Sequence, residues 1–301
     1  MSLSSDSPDL ELVHRPHSGQ TSLETRRYLI NIIGWSLCTI AFMLVAIPMV
    51  DLILTIAIKG ASAMSLEIFT TSSNGMTGGL LNAIVGTLVL SLGSLVFAVP
   101  IGVGGGMYLS EYGQNRLGAA IRFLADTLTG TPSIVLGYFS YITMVIGLGW
   151  KFSVLAGSIT LAIMVVPYLA RITELSLRRV PTTMREAAYA LGAKDRTVAF
   201  QVVLAAALPG VLSSVLLSLA ISVGETAPLI YTAGWSNYLW TGRLTHEPVG
   251  YLTYVIWTFI NEPSEKSHAL AFAAALLVML VVLTINVSVR FILRKRTRTE
   301  L

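Results

Sequence analysis

Charged residues are scarce in this chain of 301 residues. Asp, Glu, Lys and Arg together make up 12% of it, about half of the roughly 25% that a soluble domain carries. Hydrophobic residues make up 54%, and the mean hydropathy is +0.72. These values exclude an ordinary soluble domain and indicate that lipid is the main solvent of the chain.

Cysteine is almost absent as well. Cys38 is the only one and lies in an apolar run, which excludes a disulfide framework. The sequence also lacks an H-E-x-x-H motif and a pair of aspartates within the apolar runs. An intramembrane enzyme needs such ligands or a nucleophile with its base, so this class is disfavoured.

A phosphate-cradling loop is missing too. The glycine-rich segment 101–106 has no Lys-Ser/Thr after it, and it lies inside an apolar run with no strand before it. We interpret Gly102 and Gly106 instead as a small-xxx-small pair that lets two helices approach closely. Any chemistry with ATP must therefore be done by another chain.

Long apolar runs are what the sequence does contain. A helix needs about 20 apolar residues to cross the hydrocarbon core, and six stretches meet this requirement: 28–50, 80–109, 127–150, 152–170, 197–224 and 267–289. The sequence therefore predicts an all-α membrane protein with six transmembrane helices. We expect the first run to be retained as an anchor, because the polar residues before it lack the features of a cleaved secretory signal.

The basic residues predict the orientation. If both termini are cytoplasmic, Lys59, Lys151, Arg243 and Lys266 are the outer ones among the 20 lysines and arginines, which leaves 16 inside. Cytoplasmic loops carry such an excess of positive charge. We therefore predict that both termini lie in the cytoplasm.

A short helix is predicted between the fourth and fifth runs. Thr183 and Glu186 have the spacing of a capping box, Ala187 and Ala188 are small helix formers, and Gly192 fits a left-handed helix stop. We expect this helix to lie at the cytoplasmic membrane face, where its alanines offer a surface to a partner.

This segment resembles the EAA loop of ABC-importer permeases. Glu186-Ala187-Ala188 is followed after three residues by Gly192, and the later residues Val202 and Leu204 fit the rest of the motif. The family usually ends the motif with Leu-Pro, and Ala205 occupies the proline position here. The resemblance implies that Thr183, Glu186, Ala187, Ala188, Gly192 and Ala193 dock an ATPase.

Further segments are similar to the A subunit of phosphate-specific (Pst-type) permeases. They are Gly-Glu-Thr-Ala-Pro-Leu at 224–229, Asn-Ala-Ile-Val-Gly-Thr at 82–87, Tyr-Leu-Ser-Glu-Tyr at 108–112, Thr-Pro-Ser-Ile-Val at 131–135 and Arg-Ile-Thr-Glu at 171–174. Together they extend over residues 80 to 230. The resemblance implies a type I ABC importer permease bundle in a bacterial cell membrane, importing inorganic phosphate.

Composition and the resemblance together predict an organisation, and the resemblance implies a set of partners. We expect a disordered cytoplasmic tail at 1–27, the first transmembrane helix and an outer loop at 28–79, the permease domain at 80–293 with its coupling loop at 183–204, and a basic tail at 294–301. The partners would be a sister permease subunit, cytoplasmic ATP-binding subunits, an extracytoplasmic phosphate-binding protein and the lipid bilayer, with no nucleic acid. ATP and magnesium would bind to the ATPase, so this chain would hold no cofactor.

Candidate path residues are polar groups near helix breaks. Pro132 and Pro228 free backbone groups, and Thr131 and Ser133 place hydroxyls beside the first of these breaks. Arg171 is the best cation for an anion path, and its alternative is an arginine that reaches the membrane interface and only sets topology.

Glu225 is an unexpected residue in a path for an anion. It follows 28 uncharged residues, and an acid at such a depth is a functional candidate. We assign it, with Thr226, to the path in a gating or structural role, in which it could pair with an arginine of the sister subunit. The family often has an arginine three residues before Gly224, where this chain has Ile221.

Two other readings remain open. The permease could serve another oxyanion such as sulfate or molybdate, or the chain could be a secondary anion transporter, for which Asp51, Asp126 and Glu225 would be the candidate coupling acids. The aromatic outer loop, 231–266, is interpreted as a membrane-interface anchor with a helix within 248–260, or as a docking surface for the binding protein.

Overall fold

The computed structural model describes residues 20–75 and 77–297, with side chains between residues 24 and 291. Helices dominate this part of the chain. In chain order they are α1 (Gln20–Ala63), α2 (Leu66–Thr70), α3 (Leu81–Glu111), α4 (Arg116–Thr129), α5 (Ser133–Ser140), α6 (Val154–Arg178), α7 (Thr182–Ala190), α8 (Asp195–Thr197), α9 (Leu204–Gly224), α10 (Ala227–Thr232), α11 (Leu252–Phe259) and α12 (Glu265–Thr297).

Three further elements complete the order. Two segments are π-helical, with a wider turn than an α-helix: π1 (Tyr141–Gly147) continues α5, and π2 (Val198–Val203) lies between α8 and α9. A two-stranded antiparallel ribbon, β1 (Ser73–Asn74) with β2 (Thr77–Gly78), lies before α3, and Ser73 pairs with Gly78.

The chain forms two compact units, residues up to 54 and residues from 55 onward. The described part of the first unit is a stretch of α1 whose apolar side chains are exposed, including Tyr28 and Trp35. Cys38 is exposed on the same stretch. Such a surface fits a lipid environment, because the helix is apolar around its circumference.

In the second unit, α3 and α6 pack closely along their length. A Cβ added to Gly102 would lie 2.8 Å from the Leu169 side chain, and one added to Gly106 would lie 2.6 Å from Thr173 Cβ. The predicted role of these two glycines in helix packing is confirmed. The buried residues Ala98, Ala162 and Val165 extend this contact.

Around this pair, α9 packs on α6 and α12, while α11 packs on α12. An apolar cluster joins Leu80 and Ala83 at the start of α3 to Val255 and Phe259 of α11. The helix α11 lies within the segment 248–260 in which the sequence predicts one.

Five helices of the described chain are long and apolar enough to cross a membrane: α1, α3, α6, α12 and the continuous stretch from Asp195 to Gly224. The third predicted run corresponds to a sixth span only if a bent pair counts as one. In that pair, Arg116–Thr129 is followed by Ser133–Gly147 at an angle of 100°. The bend positions the candidate site.

Candidate translocation cavity and coupling segment

A cavity of about 230 Å³ lies between α4, α5, α6 and α9. Its polar lining residues are Thr129, Thr131, Ser133, Tyr168 and Glu225. Its apolar lining residues are Leu128, Leu136, Met164, Val165 and Ile221. A mostly apolar chamber with a few hydroxyls and one carboxylate can hold a small polar solute without binding it through several charges.

The bend between α4 and α5 forms one wall of this cavity. Pro132 is the residue before the first turn of α5, with extended φ and ψ of −57° and 132°. Because proline disfavours the helical conformation of the residue before it, Thr131 ends the preceding turn. The first backbone N–H groups of α5, beginning at Ser133, therefore start a helix end that carries partial positive charge.

The threonine hydroxyls of this wall already donate hydrogen bonds. Thr129 Oγ1 donates to the Ala125 carbonyl (2.8 Å), and Thr131 Oγ1 donates to the Thr127 carbonyl (3.0 Å). An anion in the cavity would have to compete with these carbonyls for the hydroxyl protons. Such hydroxyls favour transient contact over tight retention.

Glu225 lies on the opposite wall, immediately after the end of α9. Its backbone carbonyl accepts a hydrogen bond from Thr253 Oγ1 (2.7 Å), which ties the end of α9 to α11. Between residues 24 and 291, with Met76 excepted, no ion pair includes Glu225. Ile221, one turn earlier, lines the same cavity and supplies no charge.

The structure thus brings together three of the predicted path residues, Thr131, Ser133 and Glu225. Thr226 and Pro228 lie outside the lining: Thr226 precedes α10, and Pro228 is buried in its first turn. A Cβ added to Gly137 of α5 would lie 2.5 Å from Pro228 Cα. Pro228 therefore packs α10 closely against α5.

Arg171 is not among the residues that line the cavity. It belongs to a cluster around Glu174, which is 1% exposed. The carboxylate of Glu174 receives Arg122 Nε (2.7 Å), Arg171 Nη1 (2.7 Å) and Arg178 Nη2 (2.8 Å), and Arg171 Nε also contacts Asp126 Oδ1 (3.1 Å). Arg171 joins α4 to α6 here, a position that the sequence pattern did not indicate.

Arg122 makes further bonds beyond Glu174. Its Nη1 donates to the Gly113 carbonyl (2.9 Å) and its Nη2 to the Leu109 carbonyl (2.8 Å), at the C-terminal end of α3. A planar guanidinium with five donors suits such a set of acceptors. Arg122 thereby connects three helices, α3, α4 and α6.

Arg185 of α7 has the matching role at the other helix end. Its Nη1 donates to the Val180 carbonyl (2.6 Å) and its Nη2 to the Leu177 carbonyl (3.0 Å), at the end of α6. The same side chain pairs with Glu111 at the end of α3, at 3.1 Å from Nη2 and 3.4 Å from Nε. Arg185 therefore fixes the short helix α7 to both long helices.

The predicted capping box of α7 is wrong. The helix begins at Thr182, Pro181 precedes it in extended conformation, and no side chain caps the helix start. Thr183 is the second helical residue, and Glu186 lies beyond the first turn. Proline is well suited to this position, because its fixed φ already matches a chain entering a helix.

The predicted stop of α7 at Gly192 is confirmed. Gly192 has a φ of +80°, its N–H donates to the Tyr189 carbonyl (2.9 Å), and the Ala193 N–H donates to the Ala188 carbonyl (3.1 Å). This bond pair is a Schellman motif, which favours glycine at the left-handed position.

The outer surface of α7 is available for contact. Glu186, Ala187 and Ala190 are exposed, and so are the larger apolar side chains Tyr189 (48%) and Leu191 (89%). Ala188 and Ala193 turn inward instead and pack on the buried cluster around Leu177, Val198 and Val203. One side of α7 is thus anchored, and the other presents small and apolar groups next to a carboxylate.

Sequence reasoning gave no contact to Arg122, Arg185 or Glu111, and it counted Arg122 and Arg185 only among the basic residues that set the topology. The partners of Arg122 and Arg185 are 52 and 74 residues away in the chain. No local spacing encodes such contacts. The sequence does place each acid at or near the end of an apolar run, but not its partner: Glu111 of α3 pairs with Arg185 of α7, and Glu174 of α6 pairs with Arg122 of α4.

The comparisons with known proteins point to one family. Residues 98–298 match the family described as binding-protein-dependent transport system inner membrane component. The chain is 40% identical over 262 residues to the phosphate transport system permease protein PstA 2 of Mycobacterium bovis, covering 87% of each. It is 41% identical over 242 residues to PstA of Yersinia pestis, covering 79% of this chain and 81% of that protein.

A solved structure shares the fold. A chain of the methionine ABC transporter MetNI, in an inward-facing conformation, aligns with 71% of this chain and 94% of its own length. The TM-score is 0.53 at 23% sequence identity. This similarity concerns the arrangement of the helices.

Proposed function

Because this chain belongs to the family of binding-protein-dependent transport system inner membrane components, and to the PstA-type phosphate permeases within it, we propose that it forms half of the path through which an ABC importer carries inorganic phosphate across the cell membrane. The chain is a multi-pass membrane subunit and not an enzyme. Permeases of this family work with an ATPase and a substrate-binding protein.

The cavity that contains Glu225 is the observation that supports phosphate as the solute. An ionised carboxylate can only accept hydrogen bonds. Phosphate keeps at least one proton near neutral pH and can donate a hydrogen bond to Glu225, while its other oxygens accept from the hydroxyls of Thr131 and Ser133. Sulfate and molybdate carry no proton under these conditions, so the same carboxylate repels them.

Coupling to the ATPase is assigned to α7. Its exposed side presents Glu186, Ala187 and Ala190, and a helix with a small-residue surface can enter a groove on a partner. The hydrogen bonds of Gly192 and Ala193 end the helix sharply, so the docking element is short and rigid. We infer that this side faces the cytoplasm, as the distribution of basic residues predicts.

The partner set follows from the same proposal. A sister permease would complete the translocation path as a heterodimer, two cytoplasmic subunits would bind ATP and magnesium, and an extracytoplasmic protein would deliver phosphate. A charged residue of the sister permease could face Glu225, which has no ion-pair partner among the described residues.

Reconstituted vesicles test the function. We expect labelled phosphate to accumulate when the chain, a sister permease, the ATPase, the binding protein and ATP are all present, and excess sulfate or molybdate to compete weakly. Uptake that continues without the ATPase would contradict the proposal and favour a secondary transporter. Efficient competition by sulfate would reassign the substrate.

Docking is tested separately. Glu186→Lys reverses the exposed charge of α7 without touching its anchored side, and we expect the ATPase to be lost from the purified importer. Arg196→Gln on α8, which is also exposed, serves as the control. Unchanged recovery of the ATPase with Glu186→Lys would contradict the assignment of α7.

A further inference from the structure

Two arginines connect the C-terminal ends of α3 and α6. Each contacts backbone carbonyls at the end of one helix and a carboxylate of the other. Arg122 donates to the Leu109 carbonyl in the last turn of α3 and to the Gly113 carbonyl just beyond it, and it pairs with Glu174 of α6. Arg185 donates to the Leu177 carbonyl in the last turn of α6 and to the Val180 carbonyl just beyond it, and it pairs with Glu111 of α3. We call these four residues the reciprocal clamp.

The clamp is held by more than ion pairing. The last carbonyls of a helix lack partners within it and carry partial negative charge. Each arginine donates to one such carbonyl, to a second carbonyl just past the helix end and to one carboxylate. Arg185 is 19% exposed and Glu111 is 13% exposed, so water does not replace their bonds at low cost when the two groups separate.

The helices that the clamp joins cannot slide past each other easily. At Gly102 and Gly106 the backbone of α3 lies against Leu169, Ala170 and Thr173 of α6 with no room for a Cβ. Tightly packed elements transmit displacement instead of absorbing it. A force on one end of this helix pair therefore moves both helices.

The clamp also has one end at each functional region. Arg185 belongs to α7, which presents the docking surface. Arg122 belongs to α4, and two turns later Thr129 of the same helix lines the cavity. A continuous set of short contacts thus runs from α7 through the α3–α6 pair to the cavity wall.

We propose that Arg185, held by Glu111, is the positioning residue that transmits movement of α7 to α3 and α6, and through Arg122 to the cavity. The inference rests on the proposed function, because the partner that moves α7 is the ATPase. Arg185 touches no solute and does not itself present the docking surface. Its removal should separate ATP hydrolysis from opening of the cavity.

The test reads the cavity directly. Cys38 is the only cysteine of this chain, so Cys38→Ser followed by Ser133→Cys gives a single reporter in the cavity lining. In the assembled importer, the rate at which a membrane-impermeant maleimide labels this chain is measured with and without ATP. Mass analysis of the chain keeps cysteines of the partners out of the result.

In this background we expect Arg185→Gln to retain the ATPase and its hydrolysis, while the ATP-dependent change in labelling rate falls at least about tenfold, as for truncation of a buried charge pair. Arg185→Lys keeps the charge without the fork of donors, and its response should be intermediate. Arg179→Gln, an exposed neighbour that makes none of these bonds, should respond like the unmodified importer.

A double-mutant cycle distinguishes the contact between Arg185 and Glu111 from a general effect of removing charge. Because Arg185 acts through Glu111, the double variant Arg185→Gln with Glu111→Gln should be no worse than Arg185→Gln alone. The proposal would be overturned if the double variant lost more of the response than Arg185→Gln alone. It would also be overturned if Arg185→Gln and Arg185→Lys both kept the labelling response, or if both lost the ATPase.

The readout requires no phosphate, so the two proposals can fail separately. An importer whose cavity responds to ATP but which takes up no phosphate would contradict the proposed substrate and leave the clamp intact. An importer that takes up phosphate with an unaltered response in Arg185→Gln would contradict the clamp alone.

Discussion

The ends of α3 and α6 and the cavity beside them handle charge in opposite ways. At the helix ends, Glu174 is surrounded by three arginines, and Glu111 is paired with Arg185. In the cavity, Glu225 has hydroxyls and apolar groups as neighbours and no ion pair among the described residues. A carboxylate that is paired with arginines holds helices together, whereas a carboxylate without an ion pair is available to contact a solute.

The largest expected effect tests the structural side of this comparison. Glu174→Gln leaves three guanidinium groups around a neutral side chain, and removing one partner of a buried ion pair costs about 3 kcal/mol. We expect a clearly lower midpoint of thermal unfolding in detergent, measured by tryptophan fluorescence.

Glu265→Gln is the matched control, because Glu265 is exposed at the start of α12 and its change should move the midpoint little. Equal midpoints for the two variants would show that the cluster around Glu174 contributes nothing beyond surface charge.

The second prediction concerns the unpaired acid. Glu225→Gln should leave the unfolding midpoint close to that of the unmodified chain while phosphate uptake falls about tenfold, the loss expected for one hydrogen bond to a charged group. Competition by sulfate should become stronger, since the carboxylate that repels it is gone. A large drop in stability with unchanged selectivity would place Glu225 with the structural charges instead.

A smaller effect is expected when Glu225 is given an arginine partner, as the acids at the helix ends have. Ile221→Arg places a guanidinium within the same lining as Glu225, where the two can pair. We expect sulfate to compete a few-fold better for phosphate uptake, because the acid is then neutralised. Substitution by Gln at Ile221 controls for size and polarity, and an identical result with Gln would remove charge as the cause.

The smallest effect is predicted at the start of α7. Thr183→Ala should change the free energy of unfolding by less than about 0.5 kcal/mol, because Thr183 forms no cap. Gly192→Ala, in contrast, should cost about 1 kcal/mol, since an L-residue is strained at a φ of +80°. The same thermal assay measures both variants. A larger loss of stability for Thr183→Ala would show that Thr183 caps α7.

These contrasts show what the sequence could and could not predict. The spans, the close contact at Gly102 and Gly106 and the stop at Gly192 depend on local composition and backbone freedom, and they were predictable. The third span was predicted as a run of residues, but its bend of 100° depends on how α4 lies against α6.

The sequence does not distinguish the charged residues that form ion pairs at the helix ends from the unpaired acid in the cavity. Arg171 and Arg122 look alike there, each being a basic residue near an apolar run. The bond between Arg171 and Glu174 follows from their i,i+3 spacing on α6, whereas the bond between Arg122 and Glu174 forms only because α4 folds across α6. The hydroxyls of Thr131 and Ser133 were correctly placed near a break, because proline marks the break itself.

The π-helical segment π2 has a consequence for how the loop motif is counted. Its hydrogen bonds reach back five residues, where those of an ordinary helix reach back four, so each of its turns takes up more residues. Residues beyond it, such as Leu204 and Ala205, are rotated by one position from where helical numbering puts them. Counting this stretch at 3.6 residues per turn would therefore place the second half of the motif on the wrong side of α9.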